Sequence, residues 1–289
     1  MTTTTAPAPV AGVRVPLRTT AGDLRAIKIV WEREVVRFAS DRLRMITSLV
    51  QPLLFLFVLG TGLSRIASAG TDGLNLRTFL YPGILAMAVM FTAMFSAASI
   101  VWDREFGFLR EMLVAPVRRS SIVIGKCLGG ATVATFQGVL VICLAGLVGV
   151  PYSPMLILGV FATQTLLAYT LTAFGVMVAA RIKQIQSFMA LTQMLIMPLF
   201  FVSGAMFPVR GLPTWLTVLN RIDPLTYAVD PIRRIVFAHL HLSAQTRARL
   251  DPGVTWAGWH VPPLLSAAVV AALGIAMTGV AIFEFSRSD

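Results

Sequence analysis

Six stretches of the chain are apolar and free of charge: 45–63, 78–102, 127–150, 154–180, 184–209 and 261–283. They make up half of the 289 residues, and none contains Asp, Glu, Lys or Arg. A helix crossing a hydrocarbon core of about 30 Å needs about 20 apolar residues, and all six runs are close to or above that length. The buried core of a water-soluble domain does not sort charge this completely over six long segments. The pattern predicts six transmembrane helices, the chain's backbone polar groups being satisfied within each helix. Barrel strands of about 9–11 residues with alternating polarity are not seen.

Between the runs the pattern changes. Residues 1–22 form a Thr/Ala/Pro-rich tail expected to be disordered. From 23 to 44, Leu24, Ile27, Trp31, Val35 and Phe38 fall on one helical stripe, with Arg25, Lys28, Glu32, Arg33 and Arg37 largely off it. This predicts an amphipathic helix on the inner membrane surface. Residues 103–126 are too charged to cross. Phe106, Leu109 and Leu113 make an apolar side, Glu105, Arg110 and Glu111 carry both charge signs, and Pro116 ends a short helix over 103–116. Mixed charge beside apolar knobs suits a protein groove better than a lipid surface. In the long segment 210–260, Leu212, Trp215, Leu216 and Leu219, then Leu225, Ala228, Ile232 and Ile235, predict two short helices on or in the outer leaflet. Pro198, Gly204 and Pro208 interrupt the fifth run, which is expected to be broken, re-entrant or kinked.

Charge orients these helices. Sixteen Lys and Arg fall on the side that holds both ends of the chain and eight on the other, six of those in the segment 210–260. The positive-inside bias places both termini in the cytoplasm. The net charge of +11 then reads as contact with anionic lipid headgroups. Nucleic acid is not expected, since no single domain concentrates the charge.

Composition agrees: 56% hydrophobic and 13% charged residues fall outside the range of soluble domains. Two cysteines and three histidines argue against a disulfide scaffold or a metal cage, and no metal, cofactor or catalytic constellation is expected. No run contains the acid or histidine that ion-coupled carriers place in the membrane. Gly125–Lys126 is not a phosphate loop, because Ser120 stands where the first glycine belongs and Cys127 follows the lysine. A means of driving uphill transport must therefore come from a partner, or the protein is passive. Gln51, Gln137, Gln164 and Gln193 are polar groups within the runs, and Met90 belongs to a Met/Phe-rich patch in the second. All five are candidates for a substrate path or for helix contacts. Ala131, Gly138, Ala145, Gly149 and Gly175 would let helices approach closely.

EFGFLREMLVAP at 105–116, followed by Gly125 and Lys126, resembles the cytoplasmic coupling region of type-2 ABC exporter permeases, closest in flavour to the daunorubicin-resistance type. WERE at 31–34 with Arg37 and Phe38 is similar to that family's N-terminal interface helix. SGAMFP at 203–208, LPTWL at 212–216, DPLTY at 223–227 and Arg233 are similar to its segment after span five. The resemblance covers roughly residues 24–285 as one permease domain, 45–285. It implies a multi-pass protein of a bacterial inner membrane, paired as a homodimer or with a sister permease. Two ATPase subunits would lie on the cytoplasmic side, carrying the ATP and Mg2+ that this chain does not bind. By position, Glu105, Gly107, Leu109, Arg110, Glu111 and Pro116 would form the coupling helix in the ATPase cleft, with Glu32 and Arg33 fixing the surface helix beside it. The expected cargo is an amphipathic drug, antibiotic or lipid-like molecule. Export of a lipid-linked polysaccharide stays open, as does the different class of passive channel or ion-coupled carrier.

Overall fold

The computed structural model describes residues 19–62, 75–109, 112, 117–206, 213–240, 253–256 and 259–287. Helix α1 (Thr20–Ser40) starts where the Thr19 hydroxyl accepts from the Gly22 amide, with Asp23 in its first turn, the arrangement that satisfies free N–H groups at a helix start. Helix α2 (Arg42–Leu54) contains Pro52 and passes through a π-helical turn, Phe55–Leu59, to a last turn at Gly60–Gly62. Then come α3 (Leu76–Glu105), α4 (Arg119–Ile142), α5 (Pro154–Ala179) and α6 (Ile185–Val202). Two short helices follow, α7 (Thr214–Ile222) and α8 (Thr226–Ala238). A two-stranded hairpin of β1 (Thr255–Trp256) and β2 (Trp259–His260) leads to α9 (Pro263–Arg287). Among the described residues six helices are long and apolar enough to cross a membrane, so the protein is an α-helical polytopic membrane protein.

Helix α3 is the axis of the bundle, buried along most of its length and packed against α4, α5, α6 and α8. Helices α2 and α6 touch it from the periphery and leave much of their apolar surface uncovered, including Leu54, Val58, Met194 and Phe201. Close approach is set by glycine. A Cβ at Gly175 would sit 2.7 Å from that of Ala97, and one at Gly138 would collide with the Gln164 amide. Gly149 instead closes the turn after α4 in a left-handed conformation, as glycine does where a side chain would clash.

Helix ends differ from the charge-free runs. Helix α3 continues through Asp103, Arg104 and Glu105, and α4 begins at Arg119, eight residues ahead of its apolar run. At 1.5 Å per residue, 30 residues span about 45 Å, so α3 outruns a hydrocarbon core of about 30 Å. Helix α9 likewise runs on to Arg287. Helix α6 instead stops at Val202, short of 209, and Gly204 takes φ 73°. The backbone at Ala205 then lies directly on Gly83 of α3, where a Cβ would collide with the Ala205 carbonyl. From α8, Arg233 donates to the carbonyls of Gly204 (2.7 Å) and Ala205 (3.3 Å) and stacks over Phe79, 4.9 Å from its ring centre. The two short helices form as expected. Helix α7 exposes Trp215 and Ile222, whereas α8 is buried between α3, α5 and α9 rather than resting on a surface.

Helix α1 does not lie across the end of the bundle as a surface helix would. Its contacts with α4 rise in step. Asp23 pairs with Arg118, Val30 lies on Gly125, Glu34 on Gly129, Trp31 donates to the Thr132 hydroxyl, and Phe38 meets Phe136 edge-on. Helix α1 therefore runs parallel to α4 along the first three-quarters of α4. Its buried face is Val30, Glu34 and Phe38, turned from the predicted stripe so that a carboxylate points inward and Leu24 points out.

Candidate functional site

Where α1, α3 and α4 meet, five charged side chains form a knot. The Lys126 ammonium on α4 lies 2.6 Å from Glu34 Oε1, 2.5 Å from Asp103 Oδ2 and 3.0 Å from the Ser99 hydroxyl. Arg33 and Arg37, one turn apart on α1, both donate to the Asp103 carboxylate, Arg37 at 3.3 Å. Lys126, Glu34 and Asp103 are buried. The geometry follows from glycine. Cβ atoms at Gly125 and Gly129 would stand 2.8 Å from Val30 Cβ and 2.7 Å from Glu34 Cβ. Only bare backbone on that face of α4 lets α1 come close enough for Glu34 to reach Lys126. Removing one partner of such a buried pair costs about 3–5 kcal/mol, because it strands a charge. The knot therefore fixes where α1 sits on α3 and α4.

Asp103 is the first of three consecutive residues that grip three different parts of the bundle. Arg104 donates to the carbonyls of Ala179, Ala180 and Ile182 at the end of α5, at 3.3, 3.0 and 2.7 Å. A cation is favoured there by the helix dipole. The Glu105 carboxylate accepts from the Ile185 amide at the start of α6, 2.9 Å away. On the other side of the connection, Arg118 bonds Asp23 of α1, and Arg119 donates to the Phe285 and Ser286 carbonyls at the end of α9. Arg181 and Glu284 add a pair between the ends of α5 and α9. The segment 106–117 thus hangs from residues that hold α1, α5, α6 and α9.

Within that segment Gly107 is left-handed, with φ 84°, a conformation that favours glycine. It separates the end of α3 from Phe108, Leu109 and Met112, which are again helical, within the helix expected over 103–116. Asp103 and Glu105 belong to α3, and Phe106 and Leu109 do not share a face. Leu109 and Met112 turn in to the core formed with Phe188 and Phe285, whereas Phe106 and Phe108 are 70% and 51% exposed. Arg110, Glu111 and Pro116 lie outside the described residues.

The other sequence candidates separate. Arg33 belongs to the knot, but Glu32 points away from it and pairs with Lys28 at 3.5 Å. Met90 is fully buried in the core, and Gln137 and Gln164 are fully buried within the bundle. Gln193 is exposed on α6. Gln51 lines a cleft of about 290 Å³ between α1, α2 and α3 together with Ser48, Thr92, Phe38, Phe91 and Phe95. Sequence reasoning passed over Glu34, Asp103 and Lys126 as site residues. The available signal was Gly125 and Gly129 spaced four apart around Lys126.

A bundle of six helices long and apolar enough to cross a membrane, tied at one end by an ionic knot beneath an aromatic-bearing connection, defines a polytopic membrane protein. Residues 25–237 match the family described as ABC-2 type transporter, and the chain belongs to that family. It is 30% identical over 220 residues to a putative transport permease, ycf38, of Cyanophora paradoxa, covering 75% of each chain. It is 29% identical over 214 residues to Nodulation protein J of Rhizobium leguminosarum bv. trifolii, covering 73% of this chain and 80% of the other. A probable multidrug ABC transporter permease of Escherichia coli K12, YbhR, is 29% identical over 164 residues, or 56% of this chain and 44% of that one. Family membership makes the chain the membrane-spanning subunit of a transporter that works with an ABC ATPase.

Proposed function

We propose that this protein is the permease of an ATP-driven exporter, carrying amphipathic molecules outward across a bacterial inner membrane. In this reading the end of the bundle bearing the knot and both helical termini is cytoplasmic. Two ATPase subunits bear on the segment 106–117 of a permease pair, and a second copy covers the apolar flanks of α2 and α6. Arg110, Glu111 and Pro116 belong to the same contact by their place in the motif. ATP and Mg2+ stay on the ATPase. Phe106 and Phe108 seat in it, and its closure pulls on α3 and α4 directly. Arg104 and Glu105 carry that pull to α5 and α6, Arg119 carries it to α9, and the knot makes α1 follow.

The observation that supports this most is the bracketing of 106–117 by residues that hold four other helices. A push on an unanchored loop would dissipate, whereas here charged hydrogen bonds flank the segment on both sides. The test is co-expression with the ATPase and capture through a tag on this chain. Phe106→Asp with Phe108→Asp alters two exposed side chains and leaves the bundle's contacts in place. The double variant is expected to fold and lose the ATPase. A variant that retains the ATPase and transports normally would refute the assignment.

A further inference from the structure

The knot is not balanced. Among the described residues, Lys126, Arg33 and Arg37 pair only with Glu34 and Asp103, three cations to two carboxylates. The buried Arg33 Nε and Arg37 Nη1 atoms have no hydrogen-bond partner, although guanidinium N–H groups are strong, directional donors suited to carboxylate and phosphate. Arg37 and Glu34 border a crevice with Phe38, Ser96 and Ser99. Phe38 also borders the 290 Å³ cleft. Its walls are Phe38, Phe91 and Phe95. Its polar positions are Ser48, Gln51 and Thr92, and the buried Thr92 hydroxyl also lacks a partner. Pro52 removes the N–H that would have bonded the Ser48 carbonyl. Phe38 thus borders both the crevice at Arg37 and the aromatic cleft.

We propose that this place binds an anionic amphiphile drawn from the adjoining leaflet, its phosphate or carboxylate on Arg37 and its apolar body in the cleft against Phe38, Phe91 and Phe95. The ligand supplies the missing negative charge, and its polar neck meets Thr92 and Gln51. This deepens the permease reading and rests on it, since it names the chemical class of molecule that enters.

The test uses the full-length chain in detergent, offered equal amounts of phosphatidylglycerol and phosphatidylcholine with identical acyl chains, and reads the bound lipid by native mass spectrometry. Phosphatidylglycerol is expected to be favoured about tenfold, the scale of a charge-assisted hydrogen bond. Arg37→Gln abolishes the preference and Arg37→Lys keeps part of it. Ser48→Phe, which fills the cleft away from the knot, lowers binding of both lipids and keeps the proposal testable if the Arg37 variants do not fold. Equal binding of the two lipids by the unaltered chain overturns the proposal. So does displacement of phosphatidylglycerol by millimolar inorganic phosphate, because the anion alone would then suffice. Capture of the ATPase does not depend on this cleft, so failure here leaves the permease reading standing.

Discussion

Glu34 and Lys126, 92 positions apart in the chain, meet at 2.6 Å with both side chains buried. Lys126 is shared with Asp103, and Asp103 in turn serves Arg33 and Arg37. The three buried members are therefore not equivalent. Asp103→Asn strips three cations of their common partner and leaves three positive charges facing one carboxylate. Lys126→Met leaves two of each sign. Asp103→Asn is expected to cost about 3–5 kcal/mol, the upper range for breaking a buried pair, and Lys126→Met distinctly less. Unfolding of the purified variants by denaturant or heat checks the order. Equal losses would mean that Asp103 does not hold the knot together.

Gly125 and Gly129 make the knot possible by letting α1 rest on the α4 backbone. Alanine at either position places a methyl group under 3 Å from Val30 or Glu34, both on a packed helix face. Overpacking of this kind costs about 1–3 kcal/mol, and here it is relieved by α1 swinging away. Trp31, whose indole N–H donates to Thr132 at 2.9 Å, reports the movement. In Gly129→Ala its fluorescence is expected to shift to the red, and α1 to become sensitive to protease, with the rest of the bundle intact.

At the opposite end, Asp223 closes the turn between α7 and α8. One carboxylate oxygen accepts from the Leu225 amide at 2.9 Å, and the other is buried without a hydrogen-bond partner. Burial pushes this carboxyl up to about 7, against the opposing effect of the Leu225 N–H. Asp230 on α8 is also raised by burial, held back by Arg234 and Arg233. A carboxyl raised in the folded state keeps a proton that the unfolded chain has already released. Stability is then greatest below the ordinary value of 3.8 and is lost as pH climbs from there to about 7. Asp223→Asn keeps the acceptor for Leu225 and removes the ionisation. It is expected to raise the melting temperature at pH 8, to change little at pH 4, and to flatten the slope between them.

The spans were legible because hydrocarbon tolerates no unpaired charge, so each crossing is a long charge-free run. The same rule hid the site. Lys126 and Asp103 read as loop residues when a charge marks the end of a helix, yet each sits within one because each is paired. Two further departures depend on neighbours that one helix cannot disclose. The stripe on α1 fits lipid or a helix equally, and only Gly125 and Gly129, a hundred residues on, decide for the helix. The early end of α6 depends on Gly83 of α3 receiving the Ala205 backbone. The short helices α7 and α8 were readable from apolar spacing alone, but the burial of α8 was not, since Arg233 and Asp230 look like surface residues until their partners are in place.

Arg104 offers the sharpest separation of holding from moving. Its guanidinium gathers three carbonyls at the end of α5, while the exposed Phe106 and Phe108 lie just beyond it. Arg104→Met preserves length and apolar stem but releases all three carbonyls. Hydrogen bonds to a charged group contribute about 1.5–3 kcal/mol each, so the joint between α3 and α5 becomes slack although the face offered to the ATPase is unchanged. The expected result is an ATPase captured at wild-type levels whose hydrolysis no longer responds to cargo and no longer drives transport. Loss of capture would place Arg104 in the docking surface itself. Normal transport would mean that the movement reaches α5 by packing alone, through Ala97 against Gly175, without help from the guanidinium.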